Sequence, residues 1–229
     1  QKDDLFALII HDIKNPAALI KSLVELLRSY DLTAVEQQEI IEDIAETTSK
    51  IVALSHEVSK ILALETTQLN LDIQQWDLAA TANEVVRRNM VHANKKEISF
   101  TFEAADNVPE VLFDVQKIEE VLDNLISNAI KFTMKGGKVR VKVYKEDSNV
   151  IAEVSDTGLG LSESDVQNAF RRGARLSAQP TGGESSTGLG LWIVKKLIEA
   201  HHGRVWVKSA LGKGSIFAIS LPINPPSDK

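Results

Sequence analysis

The chain has 229 residues, 43% of them apolar and 25% charged, which is enough for a globular core in one large domain or two small ones. Its net charge of −6 argues against a nucleic-acid partner, which needs a basic surplus, and the absence of cysteine excludes disulfides and thiolate metal sites, as suits a reducing compartment. No apolar run approaches the roughly 18–20 residues of a membrane span, so no membrane contact is expected from this stretch. The start without Met reads as a fragment cut from a longer protein.

Apolar residues first recur at Phe6, Ile10, Ile13, Ala17, Ile20, Val24 and Leu27, in alternating steps of four and three. A second stripe at Leu5, Leu8, Leu19, Leu23 and Leu26 widens the apolar face beyond what one partner helix covers. The pattern breaks at Tyr30, Asp31 and Leu32. Thr33 followed three residues on by Glu36 is a capping box, and a second helix carries a seam at Ile40, Ile44, Thr47, Ile51, Leu54, Val58 and Ile61. Residues 1–65 therefore predict an antiparallel helical hairpin. Two such hairpins, paired as a homodimer, make a four-helix bundle that buries both stripes.

Residues 66–76 carry little pattern and read as a connector. From Asp77 to about Asn94 an inner face of Leu78, Ala82, Val85, Val86 and Met90 predicts a helix. Strands are expected at Ile98–Phe102 and Val111–Phe113, then a helix over Val115–Thr133. A hairpin follows at Val139–Val143 and Val150–Val154, a helix near Ser162–Phe170, a long Gly/Ser/Thr-rich loop, a helix over Leu189–Ala200, and a last hairpin at Val205–Val207 and Ile216–Leu221. Residues 77–222 thus form an α+β sandwich, one mixed sheet with helices on one face, followed by a tail over 223–229. The long loop joins two glycine motifs, and a loop of that size in a compact domain is usually functional.

Three segments carry chemistry. In the first, Phe6 and Ile10 lead into His11, Asp12, Ile13, Lys14, Asn15 and Pro16. A neutral imidazole is a good nucleophile near pH 7. Asn15 shares its helix face at i+4. Asp12 points about 100° away, so it must reach round or act through water. Pro16 removes a backbone hydrogen bond inside the helix. In the second, Asn124, Asn128, Lys131 and Phe132 line one helix with two amides a turn apart, oxygen donors suited to a hard cation. In the third, Asp156 ends a strand before Gly158 and Gly160, while Gly188 and Gly190 open a helix whose N-terminal N–H groups suit phosphate. No Walker A loop and no Ser/Thr-kinase signature is present.

Together the three segments resemble the H-, N- and paired G-boxes of the sensor histidine kinases. The order and spacing of these motifs run over essentially the whole chain. The resemblance implies a dimerising phosphotransfer hairpin followed by an ATP-binding domain of the Bergerat, or GHKL, type. It implies ATP and Mg²⁺ as cofactors, autophosphorylation on His11, and a response-regulator receiver domain as the partner that takes the phosphoryl group. Asp12 would orient His11, and Asn15 would aim a water for dephosphorylation of the partner. Asn128 would hold the metal with help from Asn124, Lys131 would touch phosphate, and Phe132 would border adenine. Asp156 would accept from the adenine amino group. Gly158, Gly160, Arg175, Thr187, Gly188, Leu189, Gly190 and Leu191 would cradle the rest of the nucleotide. The fragment would work in the cytoplasm. The wider ATPase group with these glycine boxes also contains ATP-driven clamps, in which a carboxylate activates water. Glu120, one turn before Asn124, is read instead as a surface or Asn-orienting residue.

Overall fold

In this computed structural model the described residues are 2–66, 70–174, 176–181 and 188–225, with side chains described for these except at 2–9, 57 and 63–66. The chain divides into two compact units, residues 1–67 and 68–229.

The first unit is the hairpin of α1 (Lys2–Ser29) and α2 (Ala34–Thr66). α1 continues through Pro16 without a break. The capping box forms as a reciprocal pair. The Thr33 backbone N–H donates to Glu36 Oε2 at 2.8 Å, and the Glu36 N–H donates back to Thr33 Oγ1 at 3.4 Å.

All seven expected seam positions of α2 turn inward, with Thr47, Leu54 and Ile61 buried outright. α1 departs from expectation. Among its described side chains the least exposed are Asp12, Ile13, Pro16, Ile20, Leu23 and Leu27, so Pro16 and Leu23 replace Ala17 and Val24 among the covered apolar positions. Two apolar stripes compete on α1, and one partner helix can cover only one of them. What remains uncovered is substantial: Ile10 is 62% exposed, Leu19 51%, Ile41 51% and Val52 50%.

In the second unit the sheet order is β2-β4-β5-β7-β6, formed by β2 (Ser99–Ala104), β4 (Lys138–Glu146), β5 (Asn149–Asp156), β6 (Arg204–Ser209) and β7 (Ser215–Pro222). Only the β2–β4 pairing is parallel. Strict alternation in β4 buries Val139, Val141 and Val143 and exposes Lys138, Arg140 and Lys142. The inner face is covered by α3 (Leu78–Lys95), α4 (Val115–Phe132) and α6 (Gly190–Ala200), while the short α5 (Glu163–Asn168) lies near β6. Ile118, Val121, Leu122, Leu125 and Ile126 form the buried stripe of α4, each at 1% exposure or less. Each such side chain contributes roughly 1.5–3 kcal/mol.

Asp77 and Asp114 cap α3 and α4. Asp77 Oδ1 accepts from the Ala79 N–H at 2.7 Å, and Asp114 Oδ1 from the Lys117 N–H at 3.1 Å.

Two expectations change here. The connector is not featureless, because Gln74–Trp76 forms β1, antiparallel to β3 (Val111–Phe113). The domain therefore holds a second, two-stranded sheet beside the main one. Three exposed residues, Gln-Gln-Trp, give no period-2 signal, so only the long-range pairing reveals the strand. In the second change, the helix expected near 162–170 ends at Asn168. Among the described residues no helix is long and apolar enough to cross a membrane.

Candidate functional site

Two constellations emerge, one in each unit. On α1, His11 Nδ1 lies 3.0 Å from Asp12 Oδ1, so the neighbouring carboxylate does reach round directly. On the other side of the ring, Asn15 Nδ2 lies 3.3 Å from His11 Nε2. A carboxylate accepts and an amide nitrogen donates. The tautomer that satisfies both carries its proton on Nδ1 and its lone pair on Nε2. The His11 side chain is 58% exposed and that of Asp12 24%. Nε2 thus carries the lone pair, held at an open surface.

The second constellation is a cavity between α4 and the sheet, lined by Asn128, Ala129, Phe132, Asp156, Gly160, Leu161, Leu176, Ala178, Leu191, Ser215 and Phe217. Most of the wall is apolar. Asp156 is the carboxylate in it. Burial pushes the Asp156 carboxyl above the ordinary range, partly offset by the Gly158 and Ser215 backbone N–H groups. The Gly158 N–H donates to Asp156 Oδ1 at 2.8 Å, which fixes the carboxylate's rotamer. An apolar slot with one oriented acceptor suits a flat base bearing an amino group.

Two of the glycines also have a packing reason of their own. Gly160 has φ +68°, and a Cβ there would collide with the Ala210 carbonyl. At Gly190 a Cβ would lie 2.6 Å from Asn124 Oδ1. The space beside each is already filled by the protein itself, so the glycines first serve close packing of the cavity's own walls. That contact also relocates Asn124. It does not line the cavity. Its Nδ2 donates to the Glu120 carbonyl at 3.0 Å and its Oδ1 abuts the start of α6.

Gly188, with φ +69°, leads into α6. Leu189 is the N-cap residue and offers no side-chain cap, which leaves the first-turn N–H groups without one. Lys131 contributes through its backbone. Its carbonyl accepts from Lys96 Nζ at 2.8 Å and from Thr181 Oγ1 at 2.9 Å. Arg175 and Thr187 lie outside the described residues.

Several cavity residues gave no signal in the sequence. Ser215 and Phe217 come from β7, the partner strand of Asp156, and Phe170 meets Phe217 edge-on at 6.3 Å. Arg172 stands 5.6 Å over the Trp192 ring, joining the start of the long loop to α6. A largely apolar run marks β7 as a strand, but nothing in it marks which residues border a cavity.

Residues 113–225 match the family described as histidine kinase-, DNA gyrase B- and HSP90-like ATPases. Over 226 residues the whole chain, hairpin included, is 29% identical to the adaptive-response sensory kinase SasA of Synechococcus sp. (strain JA-3-3Ab). Over nearly its whole length the chain is thus similar to sensor histidine kinases, and residues 113–225 carry the ATPase domain of that family model. The SasA match covers 97% of this chain and 59% of the relative, so the chain spans about three-fifths of that relative's length. Two histidine kinase structures share its fold. ThkA in complex with the response regulator protein TrrA superposes with a TM-score of 0.78 at 24% identity, covering 96% of this chain and 61% of that one. Full-length ShkA in complex with AMPPNP gives 0.71 at 23% identity, covering 99% and 47%. The family match over residues 113–225 falls wholly within the second unit, residues 68–229.

Proposed function

We propose that this core phosphorylates His11 with ATP and passes the phosphoryl group to an aspartate on a response-regulator receiver domain. The observation that carries the reading is the pair of hydrogen bonds around His11, to Asp12 at 3.0 Å and from Asn15 at 3.3 Å. An ATP-driven clamp has no use for an exposed imidazole with its tautomer set.

In the proposed reaction the Nε2 lone pair attacks the γ-phosphorus. The bond from that phosphorus to the bridging oxygen breaks, and ADP leaves. The imidazole gains positive character as the N–P bond forms, and Asp12 stabilises it through Nδ1–H. Asp156 and the apolar wall hold the adenine, and the first turn of α6 presents N–H groups to phosphate.

Among the described residues no group of three or more His, Asp or Glu could hold a metal ion. That fits Mg²⁺, which is usually bound by one or two protein oxygens with the remainder from water and phosphates. Asn128 is the residue that would hold it, and bound Mg²⁺ would neutralise phosphate charge. Asn15, beside Nε2, would instead position a water during dephosphorylation of the partner.

The uncovered apolar residues of α1 and α2 support a homodimer through the hairpin, and the site of action would be the cytoplasm, where ATP is available. Receiver docking beside His11 is proposed by likeness to the ThkA–TrrA complex.

The test is incubation with γ-labelled ATP and Mg²⁺. Acid-labile, base-stable label, absent from His11→Gln and transferable to a receiver domain, is expected. Asn15→Ala should keep the label and lose partner dephosphorylation. ATP hydrolysis without protein label would favour the clamp.

A further inference from the structure

The cavity leaves unused one buried polar pair, Asp114 and His201, which are 6% and 3% exposed. His201 Nδ1 lies 2.7 Å from the Leu197 carbonyl, and the Asp114 backbone N–H donates to Nε2 at 3.0 Å. A carbonyl only accepts and an N–H only donates, so the imidazole is neutral with its proton on Nδ1. The Asp114 carboxylate takes two further backbone donors. Oδ1 accepts from the Lys117 N–H at 3.1 Å, capping α4, and Oδ2 accepts from the Asp72 N–H at 3.0 Å.

Two side chains thereby tie three segments together. One is the C-terminal end of α6, whose first turn holds Gly190 and Leu191. Another is the first turn of α4, the helix of Asn128. The third is Asp72, two residues before β1, in the segment by which the chain enters the ATP-binding unit. β1 is also held by its pairing with β3, which ends at Phe113 immediately before Asp114.

Asn128 is 14 residues along α4 from Asp114, about 20 Å at 1.5 Å per residue, so the pair does not touch nucleotide. Its leverage is on where the unit's incoming chain is anchored relative to the two helices that hold ATP.

We propose that Asp114 and His201 are positioning residues, a buried clasp fixing the incoming segment to α4 and α6. The clasp sets the rate of phosphoryl transfer to His11, not the affinity for ATP. This rests on the kinase reading above. Transfer between two groups on different units is sensitive to placement, and a displacement of about 1 Å costs on the order of 100-fold in rate.

Asp114→Asn is the selective variant. Asparagine caps a helix as well as aspartate does, but with one oxygen in place of two it cannot serve both Lys117 and Asp72. His201→Phe removes the acceptor for the Asp114 N–H, whereas His201→Gln offers an amide oxygen there. Ile219→Val, in the buried part of β7, is the control for general destabilisation.

In the full chain, three quantities are measured: ATP dissociation constant, His11 labelling rate at saturating ATP, and amide exchange over residues 70–76. Asp114→Asn and His201→Phe are expected to slow labelling about tenfold or more. They should raise exchange at Asp72 and β1 and leave ATP affinity within about twofold, while His201→Gln recovers most of the rate.

The clasp is overturned if rate and affinity fall together, if exchange at 70–76 is unchanged, or if Ile219→Val slows labelling as much. It is equally overturned if His201→Gln is no better than His201→Phe. Wild type that binds ATP but never labels His11 sinks the kinase reading and, with it, the claim about rate. The clasp's hold on the incoming segment is then decided by the exchange data alone.

Discussion

The hairpin and the ATP-binding unit handle burial in opposite ways. The ATP-binding unit closes its own core, and the groups of its cavity are fixed by neighbours of the same unit: Asp156 by the Gly158 N–H, and the Lys131 carbonyl by Lys96 and Thr181. The hairpin leaves Ile10, Leu19, Ile41 and Val52 half-exposed or more, and its His11 imidazole stands in the open between two side chains of its own helix. One unit is built to hold a small molecule out of water. The other, on the proposed reading, would be met by large partners, both a second hairpin and whatever brings or takes a phosphoryl group. Chemistry that must be handed on needs the exposed design, and nucleotide specificity needs the enclosed one.

Substitutions in each unit should therefore fail differently. The largest effect is expected at Asn128, the candidate metal residue at the cavity edge. Asn128→Ala should reduce autophosphorylation by about 100-fold, equivalent to ~2.7 kcal/mol of transition-state stabilisation, while the hairpin still dimerises. A labelling time course together with sedimentation tests both halves of that statement.

Next is Asp156→Asn, which keeps an oxygen for the Gly158 N–H but presents an amide donor to an adenine amino group. A hydrogen bond to a charged group contributes about 1.5–3 kcal/mol, so ATP affinity should fall roughly 10- to 100-fold. The pH dependence sharpens this. Burial raises the Asp156 carboxyl, so on acidification it protonates before an ordinary aspartate would, and ATP affinity should weaken on that side. Affinity of the Asn variant should not follow that curve. Calorimetric titration across pH reads both.

In the hairpin, Ile10→Asp is expected to leave ATP affinity untouched and weaken self-association. Burying an unpaired carboxylate in an apolar interface is strongly unfavourable. An unchanged oligomeric state would remove the reason offered for the exposed stripe.

The smallest effect is expected for Thr33→Ala. It removes the hydroxyl that accepts from the Glu36 N–H and should cost about 1 kcal/mol of hairpin stability. Thermal melts should show that loss confined to the hairpin.

How much of this was legible beforehand follows the same division. The α2 seam was readable at every position because one partner helix covers one stripe. On α1 two stripes compete, and sequence alone does not say that Pro16 and Leu23 turn inward while Ala17 and Val24 do not. In the ATP-binding unit the long helices and alternating strands were plain. β1 was hidden, since three exposed residues form a strand only through pairing with residues far along the chain.

The site motifs were visible as motifs, but part of what their residues do in packing was not. Gly160 and Gly190 make room for Ala210 and Asn124, contacts that exist only once the chain is folded. Asn124, read as assisting Asn128, packs against the start of α6, while Asn128 lines the cavity. Phe217 and Ser215 join the site through strand register, which no local pattern reports.

The central claim is that the Asp12 contact leaves Nε2 of His11 as the reacting atom. The most direct test is nitrogen NMR of the ¹⁵N-histidine-labelled protein after incubation with Mg²⁺ and ATP. The account predicts a single phosphorylated imidazole, at His11, with phosphorus on Nε2 and the proton retained on Nδ1. Phosphorus on Nδ1, or on any other residue, would contradict it.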